Sequence, residues 1–152
     1  MKEIPLTSVP FVKVITAKDK LLIESVYQLR NSIFIEEQGI AKALDKDGKD
    51  EASKHLLIYI DDTVAATGRL FMRSDGVAEL SRIAVNPQFR GAGLGKLVVE
   101  ELEKLARSQN TSRMILHPHD YLESFYAQLG YRRVDGIHIV SGYKLITMAK
   151  DC

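Results

Sequence analysis

"LSRIAVNPQFRGAGLG", residues 80–95, decides how this chain reads. A strand-like run leads into Arg90 and three glycines at alternate positions, Gly91, Gly93 and Gly95, and an apolar-periodic run follows. Strand, glycine-rich turn and helix start together make an anion site. The first backbone N–H groups of a helix lack intrahelical partners, and the helix dipole favours negative charge there. A plain strand-to-helix turn needs one glycine, and each further one in a helical turn costs about 1 kcal/mol. The excess points to backbone that approaches a ligand. Two familiar phosphate loops fail on spacing. The P-loop needs G-x-x-x-x-G-K-[ST], but Gly91 to Gly95 is one residue short and Leu97 stands where a hydroxyl would bind magnesium. The dinucleotide fingerprint needs G-x-G-x-x-G, whereas residues 91–95 read G-x-G-x-G and lie in mid-chain.

Outward from this loop, "FVKVITA" (11–17) reads as a first strand. From Lys18 to Glu37, Leu22, Val26, Leu29, Ile33 and Phe34 recur at spacings of three and four, which predicts an amphipathic helix. Residues 39–54 are charged, contain two glycines and read as a long surface loop, a kind that often carries function. Strand candidates at 55–61, 63–73 and 77–85 are joined by short polar links of the hairpin kind. Val98, Val99, Leu102, Leu105 and Ala106 predict a helix over 93–109. Residues 112–117 read as a buried strand, 120–130 as a helix stopped by Gly130, and "YRRVD" and "GYKLITMAK" as the last strands. A meander followed by alternating helices and strands gives a mixed α/β layout around one sheet.

At 152 residues the chain reads as one domain, 1–152, able to bury roughly 70% of its unfolded surface. With 45% apolar residues, 27% charged and a net charge of +1, it has neither a basic stripe for nucleic acid nor a membrane-seeking face. Cys152 is the single cysteine, so no intramolecular disulfide and no paired-cysteine metal site exists. His117 and His119 with Asp120 find no further clustered ligands, and no metal is expected. The first 20 residues lack a signal-peptide core and no run approaches 18 apolar residues, so the expectation is a soluble, cytoplasmic protein.

What remains of the loop is R-x-x-G-x-G, met by Arg90, Gly93 and Gly95. With "FYAQLGYRRV" (125–134) one helix and one strand later, the pattern resembles the GNAT superfamily, the acyl-coenzyme A-dependent N-acyltransferases, over roughly residues 11–150. The resemblance implies the GNAT fold, a mixed, mostly antiparallel central sheet of six to seven strands flanked by helices. It implies acetyl-CoA as co-substrate, its pyrophosphate on the backbone of Arg90, Gly91, Ala92, Gly93, Leu94, Gly95 and Lys96. The pantetheine arm then pairs with Ile83, Ala84 and Val85, where their strand parts from its neighbour. An amine attacks the thioester directly, and no covalent enzyme intermediate forms. Tyr126 stands at the family's general-acid position for the departing thiolate; the other reading is a core-packing tyrosine. Glu79 is a candidate base, directly or through water. The family often has N-x-x-A before "FY"; here His119 and Leu122 fill those positions, which gives His119 a coenzyme contact. His117 is either a base or substrate contact, or a surface histidine without a role.

Farther upstream, "LRNSIFIEEQGI" (29–40), an acidic loop and His55 are similar to the ElaA/YjcF-like branch of that family, through Arg30, Phe34, Glu37, Gln38, Asp45, Asp50 and His55. The chain departs from the branch at Leu145, where a histidine is common. Arg30, Phe34, Asp45, Asp50, Arg69 and "ELSR" (79–82) also resemble acyl-homoserine lactone synthases, which implies a long-chain acyltransferase as one alternative. A non-catalytic acyl-CoA sensor is another. Arg30, Phe34, Glu37, Arg69 and His117 are the candidate acceptor residues. Arg30 and Arg69 either bind an acceptor carboxylate or pair with Glu37 or Glu79. "IEEQ" and "DKDGKDE" either attract a cationic amine or are merely solvated. The expected partner is a small-molecule primary amine, and the apolar content of "IHIVSGYKLITM" admits a homodimer through the last strands.

Overall fold

The computed structural model describes residues 9–152; residues 1–8 of the expected domain lie outside the described residues. Strands β1 (Phe11–Thr16), β2 (Lys54–Ile60), β3 (Thr63–Met72), β4 (Val77–Val85), β5 (Arg113–Leu116), β6 (Arg132–Val140) and β7 (Tyr143–Asp151) form one sheet. Its order is β1-β2-β3-β4-β5-β7-β6, and its pairings are antiparallel except β4 with β5. Both faces are covered, and the alternation along each strand sorts side chains between them. Leu56, Ile58 and Ile60 of β2 join Leu70, Leu80 and Met114 in one core, whereas Leu57 joins Ile15 in the other.

Helix α1 (Lys20–Arg30) covers the second face with Ile23 and Val26. Asp19 starts it by accepting the Leu22 N–H at 3.2 Å, an N-cap that satisfies one orphan donor. The predicted helix over 18–37 then changes geometry: Asn31–Glu37 is a π-helix, with Gln38 N–H donating to the Ile33 carbonyl five residues back. The wider turn keeps Ile33 packed on Leu29 and Ala84 while Phe34 turns to the cleft described below. The expected loop over 39–54 holds short helical turns, α2 (Lys42–Asp45) and a 3₁₀ turn at Asp50–Ala52.

Helix α3 (Leu94–Ser108) packs on the first face and buries Leu94, Val98, Val99, Leu102 and Ala106. Full burial of each Val or Leu contributes about 1.5–3 kcal/mol. The close approach is made possible by Gly68 of β3, where an added Cβ would sit 2.5 Å from Val98 Cγ1. The predicted last helix is a 3₁₀ turn, Asp120–Leu122, running into α4 (Glu123–Gln128). Strand β6 extends five residues beyond "YRRVD", to Val140. All its residues are exposed, so burial left no alternation in that stretch to read. Among the described residues no helix is long and apolar enough to cross a membrane.

Two irregularities of β4 shape the site. Its parallel pairing with β5 covers only Val77–Glu79 against Arg113–Ile115, so the strands part beyond Glu79. On its other edge the register with β3 shifts between Thr67 and Arg69, opposite Arg82, which takes φ +55°. Such a bulge re-aims the residues beyond it. Leu80, Ile83 and Val85 therefore pack toward α3, while Ala84 turns toward α1.

Candidate active site

Beyond β4 the chain makes a 3₁₀ turn at Pro87–Phe89 and reaches α3 through glycines with positive φ, +83° at Gly91 and +77° at Gly93. A side chain is strained in that region, which is why glycine stands at both. Gly93 is the N-cap of α3, and no side chain caps the helix. The first N–H groups of α3 thus face a concavity of about 230 Å³ lined by Arg90, Gly91, Gly93, Gly95, Lys96 and Phe125 among others. Such a helix start has the unpaired donors that an anion would need. The Leu94 side chain is buried in the core, so Leu94 offers this site only its backbone. Arg90 Nε donates to the Val85 carbonyl at 3.3 Å, and its guanidinium pairs with Glu37 at 2.9 Å.

A second cavity, of about 410 Å³, lies at the gap where β4 leaves β5. Tyr126 lines it from the α3 side, and Ile83 contributes from β4. Glu79, Ser81, Lys49 and His117 supply a polar wall, and Phe34, Ile40, Leu145 and others supply apolar lining. Tyr126 is buried, and that burial pushes its phenol up to about 12, so it stays protonated at neutral pH. His117 accepts or donates a hydrogen bond at Nδ1 with the Thr147 hydroxyl at 3.1 Å. Desolvation pushes its pKa down against the opposing pull of Glu79, which favours the neutral ring. His119 also lines this cavity, its ring stacked 5.2 Å from Tyr121 and edge-on to Tyr143.

Beneath the polar wall the acidic loop is locked by a closed ring of alternating charges. Arg30 pairs with Asp45 and Asp50, Arg69 with Asp50 and Asp47, and Arg82 with Asp47 and Asp45. Arg30 has no exposed surface and Arg69 is 2% exposed. Burial alone would raise the Asp47 carboxyl, but hydrogen bonds and charge from Arg69, the Lys49 N–H and Arg82 hold it well below the usual carboxylate range. Asp50 is likewise lowered, burial being outweighed by Arg30 and Arg69.

The ring, and a separate pair between Glu37 and Arg90, correct expectations about the acceptor residues. Arg30 and Arg69 do form ion pairs, but with Asp45, Asp47 and Asp50 rather than with Glu37 or Glu79. Arg30 does not line the cavity, and Arg69 has its guanidinium engaged by Asp47, Asp50 and the Ser81 hydroxyl. Neither is free to meet a substrate carboxylate. Glu37 pairs with Arg90 of the glycine loop and does not line the cavity. The loop aspartates are neutralised internally, so they supply no spare charge for a cationic amine. Phe34 and His117 do line the cavity. Lys49, Tyr143 and Asp47 are wall residues that the sequence reading did not single out: in a charged loop or a terminal strand nothing local marks them.

An uncapped helix start beside a parted parallel strand pair and a partly polar cavity is the arrangement expected from the resemblance to the acyl-coenzyme A-dependent N-acyltransferases. The model of the acetyltransferase (GNAT) family matches residues 23–131, and the chain belongs to that family. It is 30% identical over 121 residues to the uncharacterised N-acetyltransferase YjcF of Bacillus subtilis strain 168, covering 80% of this chain and 86% of YjcF. The crystal structure of Escherichia coli ElaA superposes with a TM-score of 0.84 at 20% identity, covering 94% of this chain and 100% of ElaA. A GNAT family acetyltransferase from Elizabethkingia anophelis with acetyl-CoA bound superposes with a TM-score of 0.73 at 14% identity, covering 94% and 98%.

Proposed function

We propose that the protein transfers the acetyl group of acetyl-CoA to the primary amine of a small molecule by direct attack. The observation that carries this reading is that both concavities lie along one strand, β4: Val85 borders the helix-start site and Ile83 the cavity. In this reading the N–H groups of Gly91 to Lys96, with the Arg90 and Lys96 charges, hold the pyrophosphate. Pantetheine pairs with the open edge of Ile83 to Val85. A backbone N–H of that edge polarises the thioester carbonyl, the strongest single form of catalytic stabilisation at such a centre.

The acceptor enters as an ammonium and gives one proton to Glu79, directly or through water. The neutral nitrogen attacks the thioester carbon; the N–C bond forms, the C–S bond breaks, and the nitrogen loses a second proton as the thiolate gains one. Tyr126 donates toward the departing sulfur. A phenol near 12 is a weaker acid than an ordinary thiol, about 8.5. Tyr126 therefore stabilises the thiolate first as a hydrogen-bond donor, and full transfer completes as the nitrogen proton becomes available. His119 borders the acyl end, where it serves the coenzyme arm.

The test is thiol release from acetyl-CoA across a panel of primary amines, with product mass measured. The reading expects amide formation, and for Tyr126→Phe a fall in kcat of about 10²–10⁴. Binding of acetyl-CoA with no amide formed from any amine, and no change on Tyr126→Phe, would instead favour a non-catalytic sensor. Turnover restricted to long-chain acyl donors would favour the synthase-like alternative.

A further inference from the structure

We infer that the acceptor is a small zwitterion, an amine carrying a carboxylate beside it on an uncharged, largely apolar body, as in an α-amino acid. The inference rests on the acetyl-transfer reading above and concerns the polar wall of the same cavity. Among the described residues six charged side chains line that cavity, and Asp45, Asp47, Arg69 and Arg82 are closed into the ion ring. The other two are Lys49 and Glu79. Lys49 Nζ lies 3.3 and 3.4 Å from the two Glu79 oxygens, longer than a tight charge-assisted bond. The lysine side chain is 38% exposed and the glutamate 15%. No other side-chain hydrogen bond to either group occurs among the described residues, apart from the weak contact of Lys49 over the Phe71 ring at 5.1 Å.

A loose, half-open ion pair on a cavity wall has the charge pattern of a zwitterion in reverse. An incoming ammonium takes the place of Lys49 at Glu79, and its neighbouring carboxylate takes the place of Glu79 at Lys49. Two ion pairs replace one, and neither charged group is stranded. A simple monoamine would pair with Glu79 and leave Lys49, 38% exposed, with water alone in place of a counter-charge. A polyamine would need a second free carboxylate, and the loop aspartates are all engaged by arginine. The neutral imidazole favoured at His117 adds no rival positive charge. Phe34, Ile40, Leu44 and Leu145 accommodate an apolar side chain. Acetylation then removes the ammonium, so the product leaves Glu79 free to recapture Lys49 and is released as a monoanion.

The experiment compares L-leucine, L-phenylalanine and L-methionine with isoamylamine, phenethylamine and 3-(methylthio)propylamine as acceptors for acetyl-CoA, using the full chain. Each amino acid is expected to exceed its decarboxylated amine in kcat/KM by about tenfold or more, the worth of one charged hydrogen bond. Lys49→Gln is expected to collapse that ratio mainly through KM for the amino acid, and Lys49→Arg to retain it. Amines used as well as or better than amino acids, or a preference untouched by Lys49→Gln in a protein that melts like the wild type, overturns the inference. Titration with acetyl-CoA separates the two levels. Normal donor binding with acetylation of amines alone sinks only the zwitterion, whereas absence of donor binding sinks the acetyl-transfer reading beneath it.

Discussion

Removing Asp50 tests whether the ion ring holds the acidic loop in place. Its carboxylate accepts from Arg30 at 2.7 and 3.3 Å and from Arg69 at 3.0 Å, and its side chain is 11% exposed. Asp50→Ala leaves both guanidiniums buried with one counter-charge each, Asp45 for Arg30 and Asp47 for Arg69. Breaking one side of a buried ion pair costs about 3–5 kcal/mol. The remaining aspartates and the residual solvent contact put this case at the lower end, about 3 kcal/mol. That is a large part of the roughly 5–15 kcal/mol of a typical domain. It lowers Tm by about 6–12 °C and moves the urea midpoint down by about 1–3 M with m unchanged. Equilibrium urea unfolding followed by circular dichroism reads it, with Glu51→Ala, an exposed neighbour, expected within about 0.5 kcal/mol of wild type. The loop also carries Lys49, so acceptor KM rises in the same variant. A loss under about 1 kcal/mol at constant m would refute the ring as the anchor of this loop.

Gly68→Ala drives a methyl to 2.5 Å from Val98 Cγ1 and 3.0 Å from Leu102 Cδ1, so the side chains of α3 against the sheet must give way. Overpacking of this kind costs about 1–3 kcal/mol and is read by thermal unfolding. Stability falls on the acid side: Asp47 and Asp50 have folded pKa values below the ordinary value of about 3.9. Their contribution is complete above that value, and is lost as pH falls from it toward the folded pKa values, because the unfolded chain binds more protons there. Urea midpoints measured from pH 6 down to 3 are expected to drop more steeply for wild type than for Asp50→Ala. Glu37→Gln frees the Arg90 guanidinium on a half-exposed pair, so acetyl-CoA affinity is expected to change by less than about fivefold, with tightening the favoured sign.

Much of the fold was legible because its signals are local. The glycine loop, the stripe Val98–Val99–Leu102–Ala106 and the alternating strands β2 to β4 each declare themselves within a dozen residues. The ring was not legible as a ring. Asp45 meets Arg82 and Asp47 meets Arg69 only after β3 and β4 are folded against the loop, and a run such as "DKDGKDE" reads the same whether solvated or buried. The passage from α-helix to π-helix at Asn31 leaves the three-and-four spacing intact, so periodicity predicts one helix there. The β4 bulge at Arg82 carries no glycine to announce its positive φ. Lys49 and Glu79 lie thirty positions apart, and only the tertiary fold makes them one feature.

The central claim is that the loop Arg90 to Lys96 holds the pyrophosphate of an acetyl-CoA donor. Calorimetric titration of the purified protein with acetyl-CoA, beside a Gly93→Glu variant checked for folding, tests it most directly. Saturable binding by the wild type is expected, and its loss in the variant, whose carboxylate would stand at the helix start where Gly93 has φ +77°. A folded wild type that binds no acetyl-CoA, or a Gly93→Glu protein that binds it as well, would contradict it.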